Sequence, residues 1–523
     1  MEAPHTRTAI RRMISLALFP PPTCGVTLYE VNNELVTGTQ SDEDFHNFHT
    51  QVLGFAPVTI HRECLKPHGR SEHSAKAAFL SHSEPVWKRS ANAWHDSGIY
   101  ELLEEVNRSA DEVPHVLRTV SGFALTLCHW VSSLYGSLSP HLRLSTEELL
   151  AQFTQVTDWK EGCLRAFAWH PHTNKCALAL LDDSIRIYRA GSDTVPTLKH
   201  RLQRSVACVS WKPLCASVLA AGCESGVLVW NVDPNSLSTR PSSGCAQVLS
   251  HPGHSPVTSI AWCPRGDLLV TASPLDTSML VWDVAIESCV PLQRVGGGGV
   301  TFLAWSPDSS RILAATPSAV FRVWETRTWT CDRWPTLKGR CQTGCWSPDG
   351  SRLLFTVEGE SVIYLLTFVD TGEMLEAGGS SKNASICADL SRTTLEDEIS
   401  VGGEVQTMIW DPSGERLAVL LKGDPSSPCC RPTIAVFRTR IRPVFELLPC
   451  GFVHDSSYSF PQFISFHPNF AKGALLTVGW SSGRISHIPF YFVKAQSYQT
   501  GSVCGAILGS AQPRSPTDLF SEL

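Results

Sequence analysis

Residues Gly253–Asp283 read GHSPVTSIAWCPRGDLLVTASPLDTSMLVWD. The stretch opens on Gly-His, closes on Trp-Asp and holds three apolar, β-rich runs parted by turn residues. Val257–Trp262 and Leu268–Thr271 flank Cys263-Pro264-Arg265-Gly266. Proline at the second turn position presets φ and glycine closes the turn, so the spacing predicts a hairpin. Met279–Trp282 supplies a third strand behind a Pro/Asp turn. A unit this small cannot bury its apolar face alone and needs copies of itself on either side.

The copies are present. An aromatic residue, one spacer and a proline mark the end of a first strand at Trp169, Trp211, Trp262, Trp305, Trp346, Trp410 and Phe466. Most spacings are about 41 to 51 residues, near the period of four-stranded propeller blades. The two longer gaps hold the polar insertions Gly372–Gly403 and Lys422–Pro432, which are expected in surface loops. A second and a third apolar run follow each marker. The fold class expected is therefore all-β, a seven-bladed propeller closed into a ring, since closure removes the bare sheet edges of an open array.

The repeats resemble the WD-repeat family, and the third copy matches it best. That resemblance implies a buried hydrogen-bonded chain in blade three made by His254, either Thr271 or Ser273 (with Ser273 adopted as the hydroxyl), Asp276 and Trp282. Other copies keep fragments: Glu224 with Trp230, Asp182 with Tyr188, and Trp324 followed by Glu325. A degenerate propeller held mainly by apolar packing between blades is the reading, with His254 structural rather than catalytic.

A propeller of this size needs roughly 300 of the 523 residues as one unit. The expected division is a flexible N-terminus at 1–25, then a strand or hairpin plus a helical region at 26–157. The propeller follows at 158–496 and a disordered tail at 497–523. Val26–Val36 reads as a hairpin around Asn32-Asn33 that could lend a strand to the last blade. Residues 41–83 look irregular. Helical spacing appears from Val86 to Val106 and again over His115–Leu138, and Ser145 with Glu148 forms a capping box for a shorter helix to Val156.

Composition narrows the function. Hydrophobic residues make up 43% of the chain, enough for a sizeable core, and a net charge of −6 implies no general attraction to nucleic acid. Lys199-His200-Arg201 through Arg204 and Arg438–Arg442 are local basic runs, read as solvated loop faces. The 19 cysteines are scattered singly in apolar runs with no C-x-x-C spacing, as reduced core residues would be. No metal site and no cofactor is expected. No run approaches the about 18 uncharged apolar residues of a membrane span. Arg7, Arg11 and Arg12 before Met13–Phe19 only faintly suggest a targeting segment.

Motifs with chemical potential are few. Gly479-Trp480-Ser481-Ser482-Gly483 fits the nucleophile elbow of serine hydrolases, but it falls between two strands, with His487 the one histidine after it; a structural turn is expected. Gly296–Gly299 reads as a flexible inter-blade loop. No catalytic set is expected. What remains is surface, and Trp329, Trp334 and Trp480 are candidate anchors for a partner, with core packing the commoner role.

Segments outside the generic repeat positions are similar to the aladin family of WD-repeat nucleoporins. These are Leu198–Pro213, Ser236–His254, Thr316–Glu325, Arg333–Thr356, VTLYEVNNELVTG from Val26, Ala166–Lys175 and Val444–Phe452. The resemblance implies a non-catalytic scaffold or docking subunit of the nuclear pore complex at the nuclear envelope. It would be held by other nucleoporins, a transmembrane one included, and would support nucleocytoplasmic transport of protein and mRNA. Cytoplasmic and mitotic spindle or centrosome pools are implied too, with protein partners on the propeller faces, no direct nucleic acid and no membrane span of its own. The alternative is a substrate receptor of a cullin-type ubiquitin ligase, because Ile312–Ala315 followed by Trp324-Glu325-Thr326-Arg327 partly resembles the WD-x-R box.

Overall fold

At every aromatic-x-Pro mark a strand ends and the chain reverses. The seven first strands are Leu164–Trp169, Cys208–Trp211, Ser259–Trp262, Phe302–Trp305, Cys341–Trp346, Val405–Trp410 and Pro461–Phe466. Each closes on its marker aromatic. In blade three the reversal is tight: the Gly266 N–H donates to the Cys263 carbonyl (2.7 Å), with Gly266 at φ 75°, a conformation that glycine adopts without strain. This computed structural model describes residues 14–21, 25–38, 58–65 and, with short breaks, 144–492, together with a few single positions between 106 and 124. The helices expected over Val86–Val106 and His115–Leu138 fall almost wholly outside the described residues, and the tail from 497 does so entirely.

Blades one, two, three, four and six are four-stranded antiparallel sheets in sequence order. Neighbouring first strands touch all the way round, and the first strand of blade seven meets that of blade one. The hydrophobic core follows the same logic. It divides into clusters that each pair the facing sides of two adjacent blades, and every one of the seven seams has its cluster. A closed ring of seven blades results.

The N-terminal segment meets the last strand of the ring at blade seven. Its third strand, Arg484–Tyr491, would otherwise present a bare edge. Val26–Val31 pairs in parallel with its last residues (Glu30 with Phe490, Val31 with Tyr491), and Val58–Thr59 pairs antiparallel with Ile485 and Arg484. Val26–Val31 and Glu34–Gly38 form the hairpin, turning at Asn32 (φ 55°) and Asn33 (φ 69°) as a two-residue primed turn requires.

Three expectations need correction. Residues 1–25 are not uniformly loose, because Ile14–Ser15 adds a fifth, parallel strand to blade five and Leu16 and Phe19 are buried. Burying two such side chains is worth about 1.5–3 kcal/mol each, which adds to the strand pairing with blade five in offsetting the cost of ordering the segment. The insertion Gly372–Gly403 is not all loop, since Ser385–Asp389 is the fourth strand of blade five and Thr393–Thr394 pairs with Ser400–Val401. In the stretch 41–83, Ile60 and Leu65 are buried against blades seven and one.

Candidate docking site

Ahead of blade one the chain forms a short helix, Thr146–Phe153. Its start is the capping box expected: the Glu148 N–H donates to Ser145 Oγ (3.4 Å) and the Ser145 N–H to Glu148 Oε2 (3.0 Å). The Ser145 N–H bond holds the Glu148 carboxyl below its ordinary pKa. Leu149, Leu150 and Phe153 are the buried side; Glu147, Glu148 and Gln152 face out.

From this helix a strap runs to Cys163 over the face on which the first strands begin. Arg340, just before the first strand of blade five, donates to the Gln152 carbonyl (3.2 Å) and lies over the Phe153 ring (4.8 Å). Gln406 of blade six donates to the Thr154 carbonyl (3.4 Å), and the Thr157 N–H donates to the Gln462 carbonyl of blade seven (2.9 Å). The Trp159 indole reaches the Val206 carbonyl ahead of blade two (3.2 Å). Helix and strap therefore cross the mouth of the ring, touching blades five, six, seven and two before entering blade one. Between them and blades five and six lies a cavity of about 620 Å³, lined by Arg340, Gln342, Gln406, Lys422 and Thr157 among others. Gln342 Oε1 and Thr157 Oγ1 are buried there without a hydrogen-bond partner.

The marker aromatics do more than punctuate. The Trp262 indole N–H donates to the Ser210 carbonyl (3.3 Å), Trp305 to Ala261 (3.1 Å) and Trp346 to Ala304 (3.0 Å). In each case the acceptor is the residue just before the preceding blade's marker, so each indole staples its blade to the one before. Trp169 closes the circle on Thr477 Oγ1 of blade seven (3.0 Å). Trp410 turns instead to Thr439 of its own blade (3.0 Å), Trp211 Nε1 is buried without a partner, and Phe466 has no donor to offer.

In blade three, Asp276 Oδ2 lies 2.6 Å from His254 Nδ1, His254 Nε2 lies 2.9 Å from Thr271 Oγ1, and the Trp282 indole donates to Thr271 Oγ1 (3.0 Å). An ionised carboxylate only accepts and an indole only donates, so Trp282 donates to Thr271 and the His254 Nδ1–H donates to Asp276, with Thr271 Oγ1 and His254 Nε2 joining the two halves. Burial pushes the Asp276 carboxyl up, but bonds from His254 and Ser278 outweigh it and hold the group below its ordinary pKa. The adopted hydroxyl, Ser273, is corrected to Thr271. Thr271 sits inside the second strand and pairs with Leu280 beside Trp282, whereas Ser273 lies past the strand's end and only accepts from the Leu275 N–H (3.4 Å).

Blade two reaches the same end by another route, one that the sequence reading missed. Trp230 donates to Gln203 Oε1 (3.1 Å), not to Glu224, which accepts from Ser205 (3.4 Å). Gln203 precedes its first strand by the same interval as His254 precedes Ser259, and that offset was the available signal.

Trp480, a candidate anchor, is a core residue at 2% exposure, and Trp334 and Trp329 are half-buried beside Phe321 and Trp305. Ser481 Oγ accepts from the Phe460 N–H (3.1 Å) in a turn between strands, and His487 Nδ1 pairs with Thr477 (3.0 Å). Gly299 is not in a free loop: a Cβ there would lie 2.1 Å from the Pro274 carbonyl oxygen. Arg327 is exposed beyond the third strand of blade four. Among the described residues no cluster of His, Cys, Asp and Glu could hold a metal, and no helix is long and apolar enough to cross a membrane.

The ring, its staples and its inner polar chain define a WD-type seven-bladed β-propeller, a scaffold-type fold. The family model described as the Aladin seven-bladed propeller matches residues 145–491. The chain belongs to the aladin family and is a nucleoporin-like propeller. Aladin of Arabidopsis thaliana is 29% identical over 510 residues, 91% of this chain and 99% of that protein. Protein HIR1 of Mycosarcoma maydis is 28% identical over 229 residues, 38% of this chain and 22% of that protein. A solved structure titled Crystal Structure of Mitotic Checkpoint Complex is similar at a TM-score of 0.45 and 18% identity, over 64% of this chain and 89% of that one.

Proposed function

We propose that this protein is a non-catalytic docking subunit of the nuclear pore complex that supports nucleocytoplasmic transport. In this reading it is held at the nuclear envelope by other nucleoporins, a transmembrane one among them, with further pools in the cytoplasm and on the mitotic spindle. The observation that carries the reading is the match to the aladin propeller over residues 145–491, with likeness to an aladin across 91% of the chain. The geometry is compatible with it. A rigid ring offers partners a broad, preformed surface at low ordering cost, and the face on which the first strands begin is crossed by the chain's own helix and strap. Among the described residues, the opposite face and the outer rim carry no such crossing segment and are where partners are expected. Proximity labelling with imaging of the tagged chain tests this: a nuclear rim signal with nucleoporins as labelled neighbours is expected. Uniform cytoplasmic fluorescence with cullin adaptors as the main neighbours would replace it by the ligase reading.

A further inference from the structure

The basic run that begins at Lys199 is exposed at Lys199, Arg201 and Arg204, and its first residue reaches a pocket. This is a second cavity of about 620 Å³ at the outer edge of blade one, lined by Asp182, Arg186, Tyr188, Thr197, Lys199 and Arg240. Arg186 and Tyr188 alternate with buried Ile185 and Ile187 along the third strand, which turns both long side chains to one side. Arg240 comes from blade two, whose Thr239 carbonyl accepts from the Thr197 N–H (2.9 Å) and so holds that loop against blade one.

The charges do not cancel. Lys199 Nζ is 3.2 Å from Asp182 Oδ2, and that carboxylate also accepts from the Ser184 N–H and hydroxyl. Neither Arg186 nor Arg240 has a carboxylate within ion-pair distance among the described residues. Three cations and one carboxylate leave two guanidiniums facing one space. The chain as a whole carries −6, so this attraction is local rather than a general basic field.

We infer that this pocket binds the phosphate of a phosphorylated serine or threonine on a partner protein. A phosphate dianion matches two guanidinium forks in charge and geometry, whereas a single carboxylate would satisfy only one of them. Val195 and Pro241 complete the lining and offer an apolar contact to the residue beside the phosphate. One isolated pocket, not a stripe of cations, speaks against a nucleic-acid backbone. The preference for a protein-borne phosphate over a lipid headgroup rests on the docking reading above, but the test is made on the purified chain and is separable from where the chain resides.

The full chain is probed with an array of random-sequence peptides each centred on phosphoserine, beside the same array unphosphorylated. The best peptide is then titrated by fluorescence anisotropy at two salt concentrations. Phosphate-dependent capture is expected, with affinity falling at least about tenfold in Arg240→Ala and in Arg186→Ala, the usual worth of a lost charge-assisted bond. Arg240 is exposed, so Arg240→Ala keeps its melting temperature even if Arg186→Ala does not. Equal capture on both arrays, no capture, or unchanged affinity in Arg240→Ala would overturn the inference. So would a preference for phosphatidylcholine vesicles carrying phosphatidylinositol bisphosphate over every phosphopeptide.

Discussion

Removing the Glu30 carboxylate should loosen the closure of the ring. Glu30 and Arg416 are 386 residues apart and their side chains are 0% and 3% exposed. Arg416 Nε donates to Glu30 Oε2 (3.2 Å) and Nη2 to Glu30 Oε1 (3.0 Å), while the Asn33 N–H also donates to Oε1 (2.7 Å). Arg416 Nη2 further reaches Asn33 Oδ1 (3.1 Å), and the guanidinium lies over Phe492 (4.8 Å). One ion pair thus joins the N-terminal hairpin, blade six and the end of blade seven. Breaking a buried pair from one side costs about 3–5 kcal/mol, because the partner charge is left uncompensated. Glu30→Ala leaves Arg416 the Asn33 oxygen, the Glu415 carbonyl (3.0 Å) and, at 3.7 Å, the half-exposed Glu415 carboxylate, which argues for the lower end, about 3 kcal/mol. Spread over about 350 residues at roughly 2.1 cal/mol/K each, that is a fall of about 4 °C in melting temperature. The assay is thermal and urea unfolding of wild type, Glu30→Ala, Glu30→Met, Arg416→Met and Glu30→Met/Arg416→Met, the last three with wild type closing a double-mutant cycle. A coupling above about 1 kcal/mol is expected, with the double variant more stable than Glu30→Ala. A Glu30→Ala loss below about 1 kcal/mol, or additive single losses, would refute the reasoning that this pair latches the N-terminal hairpin to blades six and seven.

Thr271→Val should cost about 3 kcal/mol in urea unfolding, since it strips partners from two buried donors or acceptors, while Ser273→Ala should cost under about 1 kcal/mol; equal losses would restore Ser273 to the chain. Gly299→Ala should destabilise by about 2 kcal/mol because the added Cβ meets the backbone of Ser273 and Pro274 and not a movable side chain, and a neutral effect by calorimetry would contradict that packing. Burial lowers the pKa of His454 to about 4, and its Nε2 has no partner, while its backbone pairs with Thr27 of the N-terminal hairpin. Between about pH 6.5 and about 4 the unfolded chain takes up a proton that the native chain refuses, so stability falls as pH falls, by at most about 3 kcal/mol. His454→Gln should flatten that slope in urea midpoints measured against pH; an unchanged slope would show that His454 does not set it.

Strand positions, turns and blade number were open to reading because they are written locally. The aromatic-x-Pro mark combines a strand end with a turn that proline presets, and the alternation of apolar residues needs no partner to be recognised. Asn32-Asn33 and the Ser145–Glu148 box were legible for the same reason, each being a contract between residues one to three apart. The choice of Thr271 over Ser273 was not, because both are hydroxyls two positions apart and only the folded sheet says which one the Trp282 indole reaches. Ile14–Phe19 looked loose since nothing nearby marks it; its partners are blades five and six, some hundreds of residues on. The strap across the ring mouth, the latch between Glu30 and Arg416 and the pocket of Arg186 and Arg240 belong to the same class. Each is made by groups that meet only after the ring has closed, and closure is a property of seven apolar seams acting together, not of any one repeat.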